Sequence, residues 1–158
     1  MNEYRITKYN PVFRDEMGAY TKNEWILAKQ IGESFDGVVL THDEYKRVEQ
    51  AYIIAALAFL NEGGVTSLRV EGLENTRGWQ LSFAEGSVLI LEQVGDIIGR
   101  LLREEIWCRL QGVGGFVHVG WDYYMFVGVP RACPAAEAQA VKLGLFVEEF
   151  PSPYHEED

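Results

Sequence analysis

A ten-residue apolar run, Ala51 to Leu60, lies inside a segment that opens with Thr41-His42-Asp43-Glu44 and closes on Gly63-Gly64. A threonine at the N-cap accepts a hydrogen bond from the amide three residues on while Glu44 reaches back, the capping-box arrangement. Tyr45, Val48, Tyr52, Ala55 and Phe59 then fall on one helical stripe, and the glycine pair supplies the stop. Because the run is apolar nearly all round, this helix has to be central and largely covered by other elements. Ten apolar residues are too few to span a bilayer.

The other elements follow from period and punctuation. Residues 3 to 9 alternate in character and predict a first strand, stopped by Asn10-Pro11. Val12 to Tyr20 reads as a polar loop, and residues 23 to 31 as a short strand or turn. Alternation predicts a strand from Thr66 to Gly72. A helix is expected from about Leu89 to Arg103, with Leu91, Val94, Ile98 and Leu101 as its stripe and an exposed Asp96–Arg100 pair. Residues 105 to 110, 116 to 120 and 123 to 129 predict an antiparallel meander, divided by Gly112-Val113-Gly114-Gly115 and by a turn near Trp121-Asp122. Pro134 suits the first turn of a third helix ending at Gly144. Leu145 to Glu149 predicts a last strand, and Pro151 and Pro153 are expected to fray an acidic tail from about residue 151.

With no βαβ repeat and no glycine phosphate loop, this order predicts an α+β fold, a mostly antiparallel sheet packed with two to three helices. The chain of 158 residues is the length of one domain, with 47% hydrophobic and 24% charged residues. A chain of this length buries a core without metal or disulfide staples. Cys108 and Cys133 form no spaced framework, and the opening residues show no secretory leader, so a reducing cytoplasmic setting is expected.

Chemistry-bearing patterns are weak throughout. Cys108, His118 and Asp122 would make a nucleophilic trio only if they converged, and no cysteine-enzyme motif surrounds Cys108. His42-Asp43-Glu44 places candidate metal ligands side by side, pointing in different directions on a helix. The Gly112–Gly115 run lacks the Lys-Ser/Thr ending of a phosphate loop and precedes a strand, so a hairpin connection is expected. The chain is therefore expected to be no enzyme and to need no cofactor or metal.

Charge is more informative. Acids number 24 against 14 Lys and Arg, a net charge of −10. Residues 80 to 158 hold 12 acids and 5 bases, a net −7, against −3 for residues 1 to 79. Such a balance repels nucleic-acid backbones and anionic membranes and favours a basic partner. Near the acidic end lies the aromatic run Trp121-Asp122-Tyr123-Tyr124-Met125-Phe126. Aromatic anchors beside carboxylates suit capture of a basic protein, and Asp122, Tyr123, Tyr124, Glu148 and Glu149 are the candidate contacts. The pattern leaves open whether the aromatic cluster is core or surface.

Several segments together resemble one family. They are Tyr4-Arg5-Ile6-Thr7-Lys8-Tyr9-Asn10-Pro11, Phe13-Arg14-Asp15-Glu16 with Tyr20 and Glu24-Trp25, Ile106-Trp107-Cys108-Arg109-Leu110, Trp121 to Met125, and Gly144 to Phe150. They are similar to small acidic bacterial proteins, some of which look like immunity proteins of polymorphic-toxin or contact-dependent growth-inhibition systems. The resemblance implies a cytoplasmic protein that binds and neutralises a cognate toxin domain, a basic nuclease being the natural match. It transfers a class of function and no individual binding residue. A non-catalytic ligand- or protein-binding adaptor is the alternative that the same residues allow.

Overall fold

The computed structural model describes residues 1–156. Seven strands form one antiparallel sheet: β1 (Asn2–Thr7), β4 (Ser67–Glu74), β5 (Val88–Ile90), β6 (Trp107–Gln111), β7 (Phe116–Val119), β8 (Met125–Val129) and β9 (Phe146–Glu149). Their spatial order is β5-β4-β6-β7-β8-β1-β9, so the two termini meet at one side of the sheet. A separate two-residue hairpin, β2 (Ser34–Phe35) with β3 (Val38–Val39), precedes the first helix. Its turn is Asp36-Gly37, both residues at positive φ, the backbone that such tight hairpins require.

Helices α1 (His42–Glu62), α2 (Leu91–Leu102) and α3 (Pro134–Lys142) complete the α+β fold. Helix α1 packs on β8 and between the other two helices; α2 covers β4, β6 and β7, and α3 covers β9. Thr41 caps α1 by accepting from the Glu44 amide at 3.1 Å. Only half of the expected capping box forms, because the Glu44 carboxylate holds the Arg47 guanidinium instead. Nine α1 residues are buried, as an apolar surface running nearly all round requires. No helix among the described residues is long and apolar enough to cross a membrane.

Strand register divides the sheet into two faces. Tyr4, Val127, Val117, Leu110 and Val70 are successive cross-strand partners, and all five lie under the helices in the core. One residue along, Glu148, Arg5, Phe126, His118, Arg109 and Glu71 make the corresponding row on the outer face. The period of two puts every member of the second row opposite the helices.

That outer row is not left open. Residues 151–156 lie across it, so the expected fraying from residue 151 is corrected for all but the last two residues, Glu157 and Asp158, which lie outside the described ones. Ser152 is buried with its Oγ 2.6 Å from His118 Nδ1, His155 Nε2 meets Glu3 at 2.6 Å, and Glu156 holds Arg109 at 2.9 Å. The physical reason is burial: Phe116, His118 and Phe126 need cover, and the Pro-containing tail, which turns at Pro153-Tyr154, gives it without demanding ladder hydrogen bonds. Two further expectations are revised. Leu89 belongs to β5 opposite Leu68, so α2 starts at Leu91. Arg100 reaches Glu105 at 3.0 Å rather than Asp96, because the chain turns back under the helix end at Glu104, where φ is +57°.

Candidate partner-binding surface

The connection from β7 to β8 is held by several hydrogen bonds to the core. Asp122 and Tyr123 sit in the left-handed region, at φ of +62° and +67°. Such backbone costs roughly 1–3 kcal/mol per residue and persists only where the surroundings over-determine it. Here they do. Tyr9 donates its hydroxyl to the Asp122 carbonyl at 2.6 Å and Tyr52 to the Tyr123 carbonyl at 2.8 Å. The Tyr123 hydroxyl donates to Tyr45 at 2.7 Å, Tyr45 donates to Glu49 at 2.9 Å, and Arg103 binds the same carboxylate oxygen at 2.7 Å. Desolvation pushes the Tyr123 and Tyr45 hydroxyls well above the ordinary phenol range, so both stay protonated donors.

This arrangement corrects the expected docking surface. Tyr123 is buried, with its ring edge-on to Trp25, Tyr45 and Tyr52. The two left-handed residues reverse the inside–outside pattern of the run, so Trp121 is the aromatic that faces solvent, at 70% exposure. Tyr124 is half-buried, its ring against Tyr9 and its hydroxyl accepting from Arg14 Nη1 at 2.7 Å. Glu148 is held by Arg5 at 2.9 Å and approached by Arg14 at 3.7 Å. Tyr124 and Glu148 therefore share one cluster, but its cations are the protein's own. Glu149 is exposed and pairs in register with Tyr4, which places it on the opposite face of β9 from Glu148. Asp122 remains at the turn, beside Trp121.

The cysteine trio is not assembled. His118 is the register partner of Arg109, so Cys108 points to the helix-covered face and His118 to the tail-covered one. Burial pushes the Cys108 thiol up to about 12. His118 is fully buried between Ser152 and Gln111, and burial lowers its pKa to about 3. The neutral ring holds the tail in place. Ser152 is 34 residues from His118, and no motif in the sequence marks the pair. Cys133, at the start of α3, is also buried, and the helix amides at Ala135 and Ala136 are met by the Glu62 carboxylate at 3.2 and 2.7 Å. Among the described residues no three His, Cys, Asp or Glu side chains group as metal ligands.

The sheet also decides where the charge goes. Arg5, Arg69, Arg100, Arg103 and Arg109 are each bound to a carboxylate within the chain, and Lys8 to Glu24. Among the described residues the acids without such a partner include Glu74 and Glu149, both exposed, and Glu104 and Asp122, both half-buried. A groove of about 530 Å³ lies between β4 and the Gly112–Gly115 hairpin and is lined by the paired Arg69 and Glu71 with glycine backbone. It assembles no reactive side chains. Comparison with family models, curated proteins and solved structures finds no match to this chain.

Proposed function

We propose that the chain is a non-catalytic neutralising protein that binds a basic bacterial toxin domain and blocks it, as an immunity protein does. The observation that carries this reading is the internal pairing of the arginines. With most guanidinium groups bound to the protein's own carboxylates, few cations are left to meet an acidic partner, and the net charge of −10 resides on acids that have no such pair. A field of that sign speeds encounter with a basic domain and opposes the nucleic acid that a basic nuclease would otherwise hold. The resemblance in sequence supports the class of partner.

The test is association with the basic domain encoded beside this chain, followed by stopped-flow at several salt concentrations. The on-rate is expected to exceed about 10⁷ M⁻¹s⁻¹ at low salt and to fall at least about tenfold by 0.5 M. A salt-independent on-rate, or an acidic neighbouring domain, overturns the proposal.

A further inference from the structure

We propose that Trp121 and the groove beside it clamp one arginine or lysine side chain of the basic partner, an inference that rests on the neutralising reading above. The exposed aromatic rings of this protein are otherwise already covered by its own cations. Lys22 lies 4.4 Å from the Phe13 ring, Arg5 lies 4.0 Å from Phe150 and Arg100 lies 5.8 Å from Trp79. Trp121 is the most exposed ring of the four, and among the described residues it has no cation over its face. Tryptophan is the strongest aromatic partner for a cation, more so where the pair is shielded from water.

The surroundings fit such a cation. Trp121 borders a groove of about 240 Å³ whose walls include Glu74, Glu104, Glu105, Ile106 and Trp107. That volume is below the ~300–1,000 Å³ of small-molecule sites and suits a single side chain. Glu105 is held by Arg100 and Arg103, but Glu74 and Glu104 have no cation within ion-pair distance among the described residues. Arg77 is the one cation in the lining, against Glu74, Glu104 and Glu105, so the local balance is negative. Ile106 and Trp107 supply apolar wall for the aliphatic stem of a long basic side chain.

The two sides of the groove are tied together. The chain of contacts from Tyr123 through Tyr45, Glu49 and Arg103 ends on Glu105, so one network, buried at Tyr45 and Glu49 and part-buried at Arg103, links the Trp121 turn to the facing wall. A site whose backbone and wall are held in advance loses less entropy on binding.

Two measurements test this. Affinity for the neighbouring basic domain, by calorimetry, is expected to fall at least about 30-fold with Trp121→Ala and about three- to tenfold with Glu104→Gln. Trp79→Ala should change it less than threefold. Separately, the four tryptophan indole N–H signals of the ¹⁵N-labelled protein are followed while hexa-arginine amide or hexa-glutamate is added. The Trp121 signal is expected to move first, with hexa-arginine only. If the domain binds wild type and Trp121→Ala within threefold of each other, the clamp is wrong while the neutralising reading stands. If hexa-arginine moves the Trp79 signal and leaves Trp121 unmoved, the clamp is equally wrong. If no basic domain binds but hexa-arginine still moves Trp121, the neutralising reading fails and the cation site survives.

Discussion

Replacing Glu148 by glutamine separates the structural account from the sequence expectation, in which this residue was a docking acid. The side chain keeps its size and loses its charge. Arg5 then loses a carboxylate that accepts from Nη2 at 2.9 Å and Nε at 3.4 Å, and Arg14 Nη2 loses the charge 3.7 Å away. Those two guanidinium side chains are only 13% and 10% exposed, so water replaces little of what is lost. Among the described residues Arg14 Nη2 and Nε already have no hydrogen-bond acceptor, so none of these offers the site a spare partner. A charge-assisted hydrogen bond contributes roughly 1.5–3 kcal/mol, and breaking a fully buried pair costs roughly 3–5 kcal/mol. Glu148 is 23% exposed, which places Glu148→Gln between these figures, at about 2–3 kcal/mol. For a chain of this length that lowers Tm by about 4–12 °C. Glu149→Gln, exposed on the other face of the same strand, should stay within about 0.5 kcal/mol of wild type. Urea unfolding monitored by circular dichroism measures both. Equal and small effects at the two positions would refute the claim that Glu148 is an internal partner.

Three further outcomes are expected. Both thiols should be silent to a chromogenic disulfide in the native protein and react only at the rate of unfolding, since Cys108 and Cys133 are buried and burial raises both; fast labelling of Cys108 would contradict its placement. The His118 pKa is depressed from 6.5 to about 3, so folding is favoured with the ring neutral; that contribution is complete above pH 6.5 and is lost as pH falls toward 3, and His118→Phe should show a shallower loss of stability between pH 6.5 and 4 than wild type in parallel urea titrations. Thr41→Ala should cost about 1 kcal/mol by removing the acceptor for the Glu44 amide, and a Thr41→Ser variant should recover most of it in the same thermal melts.

Local signals carried much of this molecule. The α1 cap and stop, the alternation of β1 and β4, the β-rich stretches of β6 and β8, the glycine hairpin and the proline at the start of α3 are each set by interactions within a few residues, and such interactions are legible in order along the chain. The Asp36-Gly37 hairpin is of the same local kind, a turn pair followed at once by two valines. The sequence also determined the charge, and with it the kind of partner to expect. Tertiary structure decided which side chains carry that charge outward. Tyr123 and Trp121 are two residues apart and of similar character, yet one is core and the other solvent-facing, because hydroxyls from Tyr9 and Tyr52 hold the Asp122 and Tyr123 carbonyls of the left-handed turn while the Tyr123 hydroxyl donates into the core to Tyr45. Glu148 and Glu149 are adjacent, yet the pleat sends one to Arg5 and the other to water. Ser152 finds His118 across 34 residues for the same reason that no local pattern announced it: the outer face of the sheet exists only once the strands have paired, and only then does the tail have something to cover.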